Sequence, residues 1–114
     1  MDLDGTLAQY EQWIGVNHIG APIKPMVDRV KQWLAAGRTV KIFTARVSGH
    51  GRHIFGGGVE DAITPIQEWC IEHIGQVLEV TNVKDYGMIE LWDDRAIQVI
   101  TNTGTPVMES ASRA

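Results

Sequence analysis

A single cysteine, Cys70, is all the thiol this chain carries, so an internal disulfide framework is excluded. Long apolar runs are lacking as well: none approaches the roughly 20 residues a membrane-spanning helix needs, and no membrane association is expected. The start of the sequence has no basic stretch followed by an apolar block, so no secretory signal is expected and a cytoplasmic setting is the default. Positive charge is in the minority, with 10 Lys and Arg against 14 Asp and Glu and a formal net charge of −4. Nonspecific grip on nucleic acid rests on neutralising many phosphates, and this balance argues against it. Internal repeats and low-complexity tracts are absent too.

What is present suits one compact fold: 114 residues, 44% of them hydrophobic, with four Trp. A chain of this size holds one core and little besides. A single domain is expected over 1–108, followed by a frayed tail over 109–114.

Periodicity supplies the elements. Between Pro25 and Ala36, Met26, Val27, Val30, Trp33 and Leu34 recur at helical spacing, with Pro25 suited to the first turn and Gly37 to the stop. Thr39 to Thr44 carries Val40, Ile42 and Phe43 and reads as a short buried strand. A second helix opens at Thr64-Pro65, places Ile66, Trp69, Cys70, His73 and Ile74 on one face, and closes at Gly75. Cys70 is therefore core. Val77 to Thr81 and Met88 to Trp92 read as further strands, and the run around Val107 as an edge strand. Helix alternating with strand predicts an α/β fold with a mostly parallel sheet, whose ligands gather beyond the strand carboxyl ends. Thr44, Asn82 and Asp93-Asp94 would meet there. The segment Ser48 to Gly58 is polar and glycine-laden, and with Lys41, Arg46, Arg52, His50 and His53 it reads as a basic functional loop or a solvated one.

The chemistry-bearing signal is Asp2-Leu3-Asp4-Gly5-Thr6-Leu7, answered far along the chain by Leu91-Trp92-Asp93-Asp94. Carboxylates packed at adjacent strand ends repel, so such a group persists with a cation among them or with one member protonated. A set of oxygen ligands favours Mg²⁺. A calcium loop would need further spaced acids and a closing Glu, whereas Gly5 is followed by Thr6-Leu7.

In these motifs the sequence resembles the haloacid dehalogenase superfamily, whose phosphatases open with Asp-x-Asp-Gly-Thr, carry a Ser or Thr after a second strand and a Lys further on, and end with Asp-Asp. The marks fall in order on Asp2 and Asp4, on Thr44 within Ile42-Phe43-Thr44-Ala45-Arg46, on Lys84, and on Asp93-Asp94. The resemblance implies a three-layer Rossmann-like sandwich, and the short spacings leave no room for a cap domain. It implies that Asp2 attacks phosphorus, that Asp4 acts as acid and then base, that Thr44 donates to a phosphate oxygen, and that Lys84, or Lys41 in its stead, offsets phosphoryl charge. Asp2, Asp4, Asp93 and Asp94 would hold Mg²⁺, and Gly5, Thr6, Ala45 and Arg46 would line the phosphate, Gly5 turning main-chain N–H groups towards it. Trp13 lies where the superfamily carries a small flap.

The superfamily's first motif ends a buried central strand, yet only Met1 precedes Asp2, so something must fill that slot or leave its neighbours with unpaired backbone groups. A charged amine at Met1 would perturb Asp2. The expected substrate is a small phosphorylated metabolite. A 3′-phosphorylated nucleic-acid end is the alternative, because the basic loop and the Asp-Asp-Arg ending resemble polynucleotide 3′-phosphatase domains. A phospho-accepting receiver and a metal-binding relic without activity stay open behind these. An open, capless site also makes a homodimer an expectation.

Overall fold

A computed structural model describes residues 1–47 and 61–108. The expectations for the Ser48 to Gly58 loop, with His50, Arg52 and His53, and for the tail from Glu109 lie outside the described residues.

Helix α1, Lys24–Ala35, leads into strand β1, Lys41–Phe43, and a 3-10 turn, Ala45–Val47; helix α2, Ile63–His73, leads into strand β2, Glu79–Thr81. Both helices and both first strands are where periodicity put them; each helix begins one residue earlier than expected, and the strands are shorter by one or two residues at an end. In α1, Pro25 lies in the first turn, where a missing N–H costs nothing. The helix closes with the N–H of Gly37 on the carbonyl of Leu34 and that of Arg38 on Trp33, a Schellman arrangement. The start of α2 differs in detail from expectation. Asp61, rather than Thr64, satisfies its orphan donors, with Oδ1 accepting the N–H groups of Ile63 (2.9 Å) and Thr64 (3.2 Å).

The strands β1 and β2 pair in parallel, Ile42 opposite Val80 and Phe43 opposite Thr81. The slot that the sequence left nearly empty is filled by the first residues present. Met1 N donates to the Lys41 carbonyl (3.0 Å) and Phe43 N to the Met1 carbonyl (2.8 Å), the hydrogen-bond pattern of a parallel neighbour to β1. On its other side Asp2 N donates to the Trp92 carbonyl (2.8 Å). The backbone order across the molecule is therefore β2, β1, residues 1–3, Trp92.

Two sequence expectations fail here. Met88 to Trp92 forms no strand; it follows an irregular path that meets residue 2 only at Trp92. The run around Val107 does not join the β1–β2 sheet as an edge. It pairs back on itself in a hairpin, Val99 opposite Pro106, with the Val107 N–H on the Gln98 carbonyl. In both cases the apolar letters have little to pack against: Ile89, Ile97, Val99 and Val107 are exposed.

Both helices pack on the face of the sheet that carries Ile42. Leu3, Leu7, Val30, Ile42, Ile66 and Cys70 are fully buried in one cluster, with Trp69 beside them. Burial pushes the Cys70 thiol up to about 11, as for an unreactive core cysteine. Trp33 is half-buried at the margin of this core, edge-on to Trp92 with ring centres 5.2 Å apart. Among the described residues no helix covers the opposite face, where Met1, Lys41, Phe43, Thr81 and Trp92 border a cleft of about 530 Å³. The architecture shown is a small α/β arrangement with two helices and a two-strand parallel sheet. No described helix is long and apolar enough to cross a membrane.

Candidate metal and phosphate site

The chain turns sharply straight after residue 3. The N–H groups of Thr6, Leu7 and Ala8 all converge on the Leu3 carbonyl (3.3, 3.0 and 2.9 Å) and that of Gly5 meets the Ala8 carbonyl (2.8 Å). Fully buried Leu3 and Leu7 anchor the turn from below. These N–H groups are thus spent within the turn, and those of Gly5 and Thr6 do not fan out towards a ligand as the sequence suggested.

Gly5 has a second reason to be glycine. Its φ is +89°, and a Cβ there would stand 2.6 Å from Oδ2 of Asp94. The turn and the Asp93-Asp94 pair therefore approach as closely as they do because residue 5 has no side chain. Thr6 fastens the contact. Its Oγ1 accepts the Asp94 N–H (3.0 Å) and lies 3.2 Å from Oδ2 of Asp2 and 3.4 Å from Oδ1 of Asp94. The sequence marked Thr6 as a phosphate contact; here it ties the two acidic motifs together.

The result is a group of three carboxylates, Asp2, Asp93 and Asp94, each with an oxygen within 4.8 Å of the others. Among the described residues no ion pair involves Asp2 or Asp93. Asp93 instead accepts the N–H of Arg95 (2.8 Å). Partial burial and, next, the charge of Asp93 raise Asp2 to about 7 from its ordinary 3.8, with the hydrogen bond from Thr6 opposing. Burial first and its acidic neighbours next thus favour the protonated form of a carboxylate that the sequence would have ionised throughout the neutral range. Three convergent carboxylate oxygens, with the charge of the Met1 ammonium acting on Asp2 and Asp93, are a donor set that suits a hard divalent ion.

Asp4 stands apart from this group. Its two oxygens accept Nε (2.7 Å) and Nη2 (2.8 Å) of Arg46, a bidentate pair whose guanidinium side is almost fully buried. Arg46, expected at the phosphate, is therefore committed to Asp4. It also donates to the carbonyls of His18 (2.9 Å) and Val16 (3.4 Å), and its guanidinium lies 4.9 Å from the Trp13 ring. This constellation was not foreseen. Arg46 and Asp4 are 42 positions apart, and no local spacing announces their meeting.

Thr44 follows β1 and is buried. Its N–H continues the ladder to the Thr81 carbonyl (2.9 Å), and its Oγ1 accepts the Arg46 N–H (3.1 Å), leaving the hydroxyl hydrogen for another acceptor. Ala45, next to it, begins the 3-10 turn that swings Arg46 towards Asp4. Lys84 lies exposed beyond β2. Lys41 begins β1, three residues or about 10 Å from Thr44, and its Nζ is engaged by Asp85 (3.1 Å) and Glu79 (3.3 Å). The large cleft on the open sheet face does not include the carboxylate group. Comparison with protein-family models, with curated proteins and with solved structures finds no match to this chain.

Proposed function

We propose that this protein is a capless phosphomonoesterase of haloacid-dehalogenase type, acting on a small phosphorylated metabolite with Mg²⁺. The observation that carries the reading is the convergence of Asp2 with Asp93 and Asp94, about ninety residues away, at one end of a parallel sheet. The backbone order β2, β1, residues 1–3, Trp92 supports a Rossmann-like sheet with the first motif in a central slot. In the full three-layer form the open face would also be covered.

In this reading Asp2, Asp93 and Asp94 hold the ion, which supplies positive charge where an anionic nucleophile and an anionic phosphate must meet. Asp2 attacks phosphorus through a carboxylate oxygen, the phosphorus–oxygen bond to the leaving alcohol breaks, and an aspartyl phosphate forms. Asp4 gives the departing alkoxide its proton and later takes one from the water that hydrolyses the acyl phosphate. Thr44 donates its hydroxyl hydrogen to a phosphoryl oxygen, and Lys84 approaches from the loop beyond β2. For Asp4 to play its part, Arg46 has to let go of at least one of its oxygens.

The test is release of phosphate from p-nitrophenyl phosphate with and without Mg²⁺, in the wild type and in Asp2→Asn. Turnover that needs the ion and disappears in the variant is the expected result. Turnover that survives the substitution contradicts the mechanism, because an amide cannot replace the attacking carboxylate.

A further inference from the structure

We infer that Arg46 is a latch: it holds the tip of the segment 9–21 down and, by the same contacts, occupies Asp4, so that lifting the tip and releasing Asp4 are one event. The functional half of this inference rests on the proposed role of Asp4; the structural half does not.

The segment has a fixed neck, to which Ile19 adds its packing against the core, and a tip whose polar contacts to other described residues run to one side chain. At the neck Ala8 pairs antiparallel with Pro22, Gln9 N donates to the Ala21 carbonyl (2.8 Å), and Ile23 N donates to the Leu7 carbonyl (2.8 Å). The buried Trp69 adds its Nε1 hydrogen bond to the Gly20 carbonyl (3.0 Å). The strands of the neck are so close that a Cβ on Gly20 would stand 2.0 Å from the Gln9 carbonyl oxygen. Such a neck has no room to slide.

The tip is different. Apart from a local turn, His18 N to Gly15 O at 3.2 Å, its polar contacts to the rest of the described protein run to the Arg46 guanidinium through Val16 and His18. Trp13 lies against the same group while staying half-exposed. Between the tip and the start of α2 is a cleft of about 340 Å³, bordered by Val16, Asn17, Asp61 and Thr64. The tip is therefore not packed down by the helix beside it.

Every donor that Arg46 uses on the tip belongs to the planar fork that grips Asp4: Nη2 is shared between Asp4 and His18, and Nη1 reaches Val16. A guanidinium is rigid, so a rotation that frees an Asp4 oxygen also pulls Nη2 from the His18 carbonyl. Two arrangements of one buried cation thus set two things at once. With the tip down, Asp4 has both oxygens engaged and is withheld from chemistry; with the tip raised, Asp4 is released and the approach over it opens. Arg46 is accordingly a positioning residue.

The experiment is a double-mutant cycle read by hydrogen exchange of the amides in 10–19, on the full chain, in Arg46→Met, Asp4→Asn and the double variant. Arg46→Met removes the fork, and Asp4→Asn replaces the anion that orients it. Each is expected to speed tip exchange at least about tenfold, and the double variant no more than either alone, as for two groups acting through one contact. Arg46→Lys should restore part of the protection through a single charge on Asp4. Unchanged tip exchange in both single variants, or effects that simply multiply in the double variant, overturns the latch. Asp4→Asn keeps the test decisive should Arg46→Met fail to fold. In turnover of p-nitrophenyl phosphate with Mg²⁺, Arg46→Met should lower KM at least about threefold, since binding no longer waits on a minority open state. An unchanged or raised KM with the tip open removes the gating. If wild-type protein releases no phosphate, the phosphatase reading falls, and the exchange cycle still decides whether the latch exists.

Discussion

Two carboxylates of one short motif, Asp2 and Asp4, sit in opposite electrostatic surroundings. Around Asp2 the chain gathers more acid, Asp93 and Asp94, with a hydroxyl between them. Around Asp4 it gathers a buried guanidinium and two carbonyls that the same guanidinium ties down. The first region crowds negative charge, and burial with that crowding raises Asp2 to about 7. The second is complete without any further partner. A carboxylate among acids and a carboxylate paired with a cation therefore lie within three residues, and the turn at Gly5 separates them.

The difference can be tested from both ends. The largest effect is expected on activity: Asp2→Asn should lower Mg²⁺-dependent turnover by on the order of 10⁴-fold, read as phosphate release. Next comes Asp4→Ala, which strands the buried Arg46 without its anion and should cost about 3 kcal/mol in chemical denaturation. The Asp2→Asn protein should lose nothing comparable, because removing a repelled charge relieves the acidic group.

The third prediction concerns pH. Asp2 has a folded-state pKa above its ordinary value, so its contribution to stability is fully present below 3.8 and is lost as pH rises through about 7. With a chelator present, the melting temperature should fall across that window, and Asp2→Asn should flatten the fall. Mg²⁺ should raise the melting temperature more at pH 8 than at pH 5, where part of the group is protonated. An equal Mg²⁺ effect at both values would break the comparison on the Asp2 side.

A smaller effect is expected at the boundary between the regions. Gly5→Ala forces a side chain into a left-handed conformation at a cost of about 1–2 kcal/mol, and its Cβ displaces Asp94. The Mg²⁺-induced rise in melting temperature should shrink while tip exchange over 10–19 stays as in the wild type. Least of all, Lys41→Ala should leave turnover close to wild type, because its exposed pairs with Glu79 and Asp85 lie at the far end of β1 from Thr44.

Much of the frame was legible in the letters. Helical spacing located α1 and α2, Gly37 and Gly75 marked their ends, and the run before Thr44 located β1. Each of these signals is local, a period or a stop written within a dozen residues. The misses are of another kind. Met88 to Trp92 has strand-like composition and forms no strand, because β propensity expresses itself only against a neighbour to pair and pack with, and only Trp92 finds one. The residues around Val107 found their partner in Gln98 to Ile100 instead of in the sheet. For the site, the acids and Thr44 were legible as residue types in order. The partner of Asp4 was not, since a single Arg among basic residues near a loop carries no mark of what it will meet.

By itself the sequence determined the inventory: which segments are amphipathic, which turn can bend at Gly5, and which carboxylates and hydroxyl are available. Only the tertiary structure decided how those groups divide. It brought Asp93 and Asp94 to Asp2 by using the missing side chain of Gly5, and it gave Asp4 to Arg46 by folding the 3-10 turn after Thr44 against the tip of 9–21. The physical reason is range. Hydrophobic period and turn chemistry act between near neighbours in the chain, whereas charge pairing acts through space and follows from the packing that brings distant residues together.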